Sequence, residues 1–252
     1  MYFLRSMLIV SVYSLCESAL QAQEWGSLKG RVVWAGSESP ALEKVKVDKD
    51  QDHCLSKGDI NSEKFVINPK NKGVKWVFAW LVDPKDAKGK IPVHPSLAEP
   101  SAKEVVIDQP CCKFEPHVLG LREGQILVAK NSSPIPHNVN LVSVGKNPSK
   151  NEIVPPGRAV KVEGWVSTTA PTLVKCDIHP WMIGYVRVFN HPYFAITDED
   201  GNFEMKNAPV GEWNLVVWQE EAGWVTGDRK GIPVKIASGD SKPISIELKP
   251  SK

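Results

Sequence analysis

Two short segments hold the side chains with the most distinctive chemistry, Pro136-His-Asn-Val139 and Cys176-Asp-Ile-His-Pro-Trp-Met182. The second sets a thiol, an imidazole and a thioether at a regular spacing (Cys176, His179, Met182), so one tight loop can bring three donors to a point. His137 lies on a different stretch of chain and can complete the set with a second imidazole. Two imidazoles and a thiolate in a plane, with a weak axial thioether, suit both Cu(I) and Cu(II). The donor set therefore points to one copper ion that gains and loses a single electron. Zinc is less well served, because its sites are tetrahedral and do not use a thioether. Cys-x-x-His alone is a common string; joined to Met182 and to a Pro-His-Asn segment far upstream it is specific.

The remaining histidines are His53, His94, His117 and His191, and none forms the His-x-His pair that an oxygen-reducing copper cluster needs. His53 reads as a surface residue beside a disulfide rather than a ligand, and His117 and His191, each next to a proline, read as turn or strand-end residues. Asp198-Glu-Asp-Gly201 reads as a hairpin turn. A calcium loop would need an acidic group where Ile196 stands. With no catalytic triad, phosphate loop or paired-carboxylate motif in view, the chain reads as a carrier rather than an enzyme.

Elements must position these donors across 252 residues, 42% hydrophobic and 24% charged, with a net charge of +2. That balance is ordinary for a soluble protein and gives no field to attract nucleic acid. Residues 1–22 have the charged, apolar, small-residue layout of a signal peptide, with Met7-Leu-Ile-Val-Ser-Val-Tyr-Ser-Leu15 too short to span a bilayer. A periplasmic or otherwise exported location follows, with no membrane span in the mature chain. In such an oxidising compartment Cys54 is expected to pair with Cys111 or Cys112 if Cys176 holds metal. Cys112 is favoured because it shares strand parity with Phe114.

Nearly everything after the leader reads as short strands between Gly, Pro, Asn and Asp clusters. Val74-Lys-Trp-Val-Phe-Ala-Trp-Leu-Val82 is apolar on both faces, as a central strand is. The expected organisation is an N-terminal β-rich region over 26–102, a second unit over 103–189 and a third over 190–250. The first and third are each small for a sandwich, which leaves two arrangements open: separate units, or the two paired as one sandwich with the middle unit inserted between them.

The stretch from Glu104 to Phe189 resembles the small cupredoxins of the amicyanin and pseudoazurin group. The likeness lies in Val105-Val-Ile107, Leu119-Gly-Leu-Arg-Glu-Gly-Gln125, Leu127-Val-Ala-Lys-Asn131, the Pro-His-Asn-Val segment and the short ligand loop with Pro180 and Trp181. It covers about a third of the chain. The resemblance implies a type I copper site with Cys176 as thiolate, His137 and His179 as equatorial imidazoles and Met182 as axial ligand. It further implies that His179 lies at the surface as the electron port, ringed by Pro134, Ile135, Pro136, Pro180 and Trp181. A redox protein partner, a dehydrogenase or a cytochrome, would dock near His179, and Asn138 would fix the loops by hydrogen bonding. Cys111 and Cys112 depart from that family's pattern. Ala195 to Phe203, followed by Pro209 to Val217, resembles the carboxypeptidase regulatory-like (transthyretin-like) β-sandwich, a module without catalytic residues. The fold expected is all-β, a cupredoxin-like Greek-key sandwich plus a second β-sandwich. The function expected is single-electron transfer; the alternatives are a non-redox structural or binding module, and copper storage or delivery.

Overall fold

Strict alternation of buried and part-exposed residues makes Trp25–Trp34 one ten-residue strand, β1, with Leu28, Val32 and Trp34 on its buried face. The structure, a computed structural model, describes residues 23–249 apart from 88 and 144, so the expected leader 1–22 lies outside the described residues. A four-residue helix α1 (Gln51–Cys54) precedes β2 (Phe78–Val82). β2 is shorter than the apolar run predicts, because Trp76 adopts a left-handed φ of 64° and ends the extended backbone there.

The middle of the chain supplies β3 (Glu104–Asp108), β4 (Val118–Arg122), β5 (Ile126–Lys130), β6 (His137–Val142), β7 (Lys150–Val154), β8 (Ala159–Val162), β9 (Thr172–Lys175) and β10 (Ile183–Phe189). They form a five-stranded sheet in the order β4-β10-β9-β6-β7 and a three-stranded sheet β3-β5-β8. The chain keeps changing sheets as it advances, which is the Greek-key habit. Ile107, Leu121, Leu127, Val139, Leu141, Val174 and Val186 fill the space between the two sheets.

The last part supplies β11 (Phe194–Ile196), β12 (Asn202–Pro209), β13 (Gly211–Gln219), β14 (Gly223–Trp224), β15 (Ile232–Ile236), β16 (Gly239–Asp240) and β17 (Ile244–Leu248). Here β1 pairs with β12, β16 and β17, and β2 pairs with β11 and β13, so strands from both ends of the chain share two sheets. Leu28, Val32, Ala79, Leu81, Leu215, Val217 and Ile246 form the core between them. The all-β, two-sandwich fold expected from the sequence is the fold observed.

Both faces of β2 are buried for a reason the alternation did not reveal. Ala79 and Leu81 face the outer sandwich, while Phe78, Trp80 and Val82 pack with Val118 and Phe189 of the middle unit. Burying side chains of this size contributes about 1.5–3 kcal/mol each, which firmly seats one sandwich on the other.

The Asp198–Gly201 turn corrects another expectation. Asp198 Oδ1 accepts from the N–H groups of Asp200 (2.9 Å) and Asn202 (2.8 Å), so the turn forms as read. The strands it joins do not pair as a hairpin, however: β11 lies beside β2 and β12 beside β1, so the turn carries the chain from one sheet to the other. Gly201 is needed there, with φ +78° and a position where a Cβ would sit 2.3 Å from the Val32 carbonyl oxygen.

Candidate metal centre

Donor convergence begins with the hairpin of β9 and β10, whose last paired residues are Lys175 and Ile183. Between them the loop closes on itself: Cys176 N–H donates to the Met182 carbonyl at 3.1 Å, and Met182 N–H donates to the His179 carbonyl at 2.9 Å. Those two bonds turn Cys176, His179 and Met182 into a compact arc. His137 is the first residue of the neighbouring strand β6, opposite Val154. The loop before it is braced by Asn131, whose amide donates to the carbonyls of Ile135 and Val154, each at 2.8 Å.

The structure brings His137, Cys176 and His179 together, with one potential ligand atom from each lying within 4.8 Å of the others. Nδ1 of His137 is 2.9 Å from Nδ1 of His179, and Cys176 Sγ is 3.9 Å from the same His179 nitrogen. All three are buried, and Met182 is buried in the same core as Cys176. Burial, then the neighbouring His179 and His53, pushes His137 down to about 4, so its ring is neutral with a free lone pair near pH 7. Two imidazole rings, a thiol and a dry enclosure fit a soft or borderline transition metal.

Asn138 ties the two segments together, as expected. Its N–H donates to Cys176 Sγ at 3.4 Å, and its side-chain oxygen accepts from the N–H groups of Asp177 (2.6 Å) and Ile178 (3.2 Å). Asp177 in turn is held down to about 2 by hydrogen bonds from Lys175 and then Asn140.

His179 departs from expectation. Its ring is fully buried, and Nε2 lies 2.8 Å from a carboxylate oxygen of Asp50, the residue ahead of α1. Of the five residues expected to ring His179, Pro134, Pro136 and Pro180 are exposed and Ile135 and Trp181 half-buried, but the histidine itself lies beneath a cap. A disulfide joins Cys54 at the end of α1 to Cys112, and its sulfurs lie within 4.8 Å of a His179 ring nitrogen. As disulfide sulfurs they carry no thiolate charge for a metal. The pairing is the favoured one, but strand parity is not its cause: Cys112 sits in a bend with φ 52°, and that bend turns it inward. Among the described residues, Cys111 and Cys176 are the free, buried thiols.

Asp50 and the cap carried no signal in the sequence, since an aspartate four positions before a cysteine has no distinctive pattern. His53 is half-buried rather than a surface residue, and its Nε2 is enclosed without a hydrogen-bond partner. His117 and His191 are buried too: His117 bonds the Glu220 carboxylate, and His191 Nδ1 accepts from Tyr193 N–H at 3.1 Å.

No family model and no curated protein matches the chain. Among solved structures, it is similar to a point mutant of amicyanin in its oxidised state, at 26% identity over 36% of this chain and 88% of that one, with a TM-score of 0.31. It is also similar to a purple cupredoxin from Nitrosopumilus maritimus, at 19% identity over 33% of this chain and 98% of that one, TM-score 0.29. A copper-containing nitrite reductase from Thermus scotoductus SA-01 is similar at 20% identity over 39% of this chain and 27% of that one, TM-score 0.33.

Proposed function

We propose that this protein is an exported, mononuclear type I copper protein that carries single electrons between redox partners and is not itself an enzyme. The observation that carries the reading is the convergence of His137 Nδ1, Cys176 Sγ and His179 Nδ1 from two separate segments in a buried setting. Cys176 would serve as thiolate, His137 and His179 as equatorial imidazoles, and Met182 as the axial thioether. Copper held there supplies one-electron exchange between its two oxidation states. The protein's own part is to keep the donors fixed, through Asn131, Asn138 and the loop bonds to Met182, and to keep water out. A disulfide in the same region supports an oxidising, exported location. Among the described residues no helix is long and apolar enough to cross a membrane.

In this reading the middle unit is a cupredoxin domain interrupting a transthyretin-like sandwich built from 26–102 and 190–250, which the shared sheets support. The redox partner docks on the exposed prolines 134, 136 and 180, and the electron passes the cap rather than a bare histidine edge.

A second reading, copper storage or delivery without rapid electron exchange, draws support from the buried ring of His179. One measurement tests the first reading, metal content of the purified chain together with its visible spectrum. One copper per chain and an intense blue thiolate charge-transfer band are expected after oxidation. A colourless chain that takes up no Cu(II) refutes the proposal, and copper that binds without that band leaves the storage reading.

A further inference from the structure

We infer that Asp50 is a positioning residue for the second histidine of the centre: its carboxylate decides which ring nitrogen faces the metal and lowers the reduction potential of bound copper. The inference rests on the copper reading above and concerns a contact from outside the ligand loop. Asp50 Oδ2 is 2.8 Å from Nε2 of His179. An ionised carboxylate only accepts hydrogen bonds, so Nε2 carries the proton and Nδ1 keeps its lone pair. Nδ1 is the nitrogen that faces His137 and Cys176. The ring is fully enclosed while the Asp50 side chain stays 41% exposed, so water solvates the outer side of the carboxylate but does not reach the ring.

The cap that carries Asp50 is anchored on both sides of the ring. α1 ends at Cys54, whose disulfide to Cys112 packs beside His179. The Cys112 carbonyl accepts from the indole N–H of Trp181, two residues along the ligand loop, at 3.1 Å. Asp50 itself has φ 49° and ψ 38°, left-handed values uncommon outside glycine, and its side chain caps no N–H of α1. The carboxylate is thus spent on His179 rather than on its own helix. Negative charge on the far edge of a ligating imidazole makes the ring a stronger donor and favours the more highly charged metal ion.

Three variants of the full chain test this. Asp50→Asn retains an acceptor and tolerates the left-handed backbone but removes the charge; Asp50→Ala removes both; Asp52→Asn makes the same charge change at an exposed site on the same helix. Redox titration of the copper-loaded proteins should show the ratio of Cu(II) to Cu(I) affinity falling about tenfold in Asp50→Asn, a rise of about 59 mV for one electron. Asp52→Asn should show less than a third of that shift. Long-range proton–nitrogen NMR of the metal-free chains should show His179 protonated at Nε2 in the parent and Asp50→Asn, and mixed tautomers in Asp50→Ala. An unmoved potential in Asp50→Asn, an equal shift in Asp52→Asn, or an unchanged tautomer in Asp50→Ala overturns the inference. If the parent takes up no copper, the copper reading fails, and the NMR arm still decides whether Asp50 sets the ring.

Discussion

The backbone N–H of Asn138 reaches the sulfur of Cys176 at 3.4 Å, so the strand that carries His137 also donates to the thiol of the facing loop. With the Asn138 side chain accepting from both Asp177 and Ile178, one residue locks the two donor segments to each other. Asn138→Ala leaves those two N–H groups without their partner and should cost about 1–3 kcal/mol. Urea unfolding of the metal-free protein measures this; an unchanged midpoint would show that water replaces the amide without loss.

The thiol and the thioether should separate cleanly by mutation. Cys176→Ser should abolish the charge-transfer colour, because the proposed centre absorbs through the Cys176 thiolate. Met182→Leu should keep copper and colour and raise the potential, since an axial ligand tunes a centre whose plane is built by other donors. A Cys176→Ser protein with the parent's spectrum would remove that residue from the ligand set.

The disulfide spans 58 residues and pins α1 over the ligand loop. Replacing Cys54 and Cys112 together by Ala should lower stability by about 2–5 kcal/mol. Thermal denaturation should show the change in the copper-free state as well as the loaded one. A melting temperature equal to the parent's would mean that packing alone seats the cap.

His191 gives the protein an acid-sensitive core. Burial, then the nearby Arg187, holds its pKa down to about 3, against 6.5 for a free imidazole. Below about pH 6.5 the unfolded chain takes up a proton that the folded chain refuses, so stability present above that pH is lost as pH falls toward about 3. Each such proton contributes a slope of about 1.4 kcal/mol per pH unit. His191→Gln should flatten the stability profile between pH 6 and 4 by about that amount, with His137 titrating in parent and variant alike. Parallel profiles would show that the His191 ring does not contribute.

Much of this was legible because local chemistry expresses itself locally. Ile244, Ile246 and Leu248 alternate and form β17; Val105 to Ile107 lie in β3; Cys176, His179 and Met182 share an arc because their spacing fits one loop. The limits were of one kind. The apolar faces of Val74 to Val82 could announce a buried strand but not that its second face meets Phe189, and the Asp198 turn could not reveal that its flanking strands lie in different sheets.

The same division runs through the site. Residue types and intervals along the chain singled out His137, Cys176, His179 and Met182 as candidates and defined an all-β frame, because ligand chemistry and strand alternation both act over a few residues. Only the folded molecule put Asp50 against His179, turned Cys112 toward Cys54 and buried the ring expected at the surface. Those contacts join positions 129 and 58 residues apart, and they depend on how a capping segment packs over another unit, which no local pattern encodes.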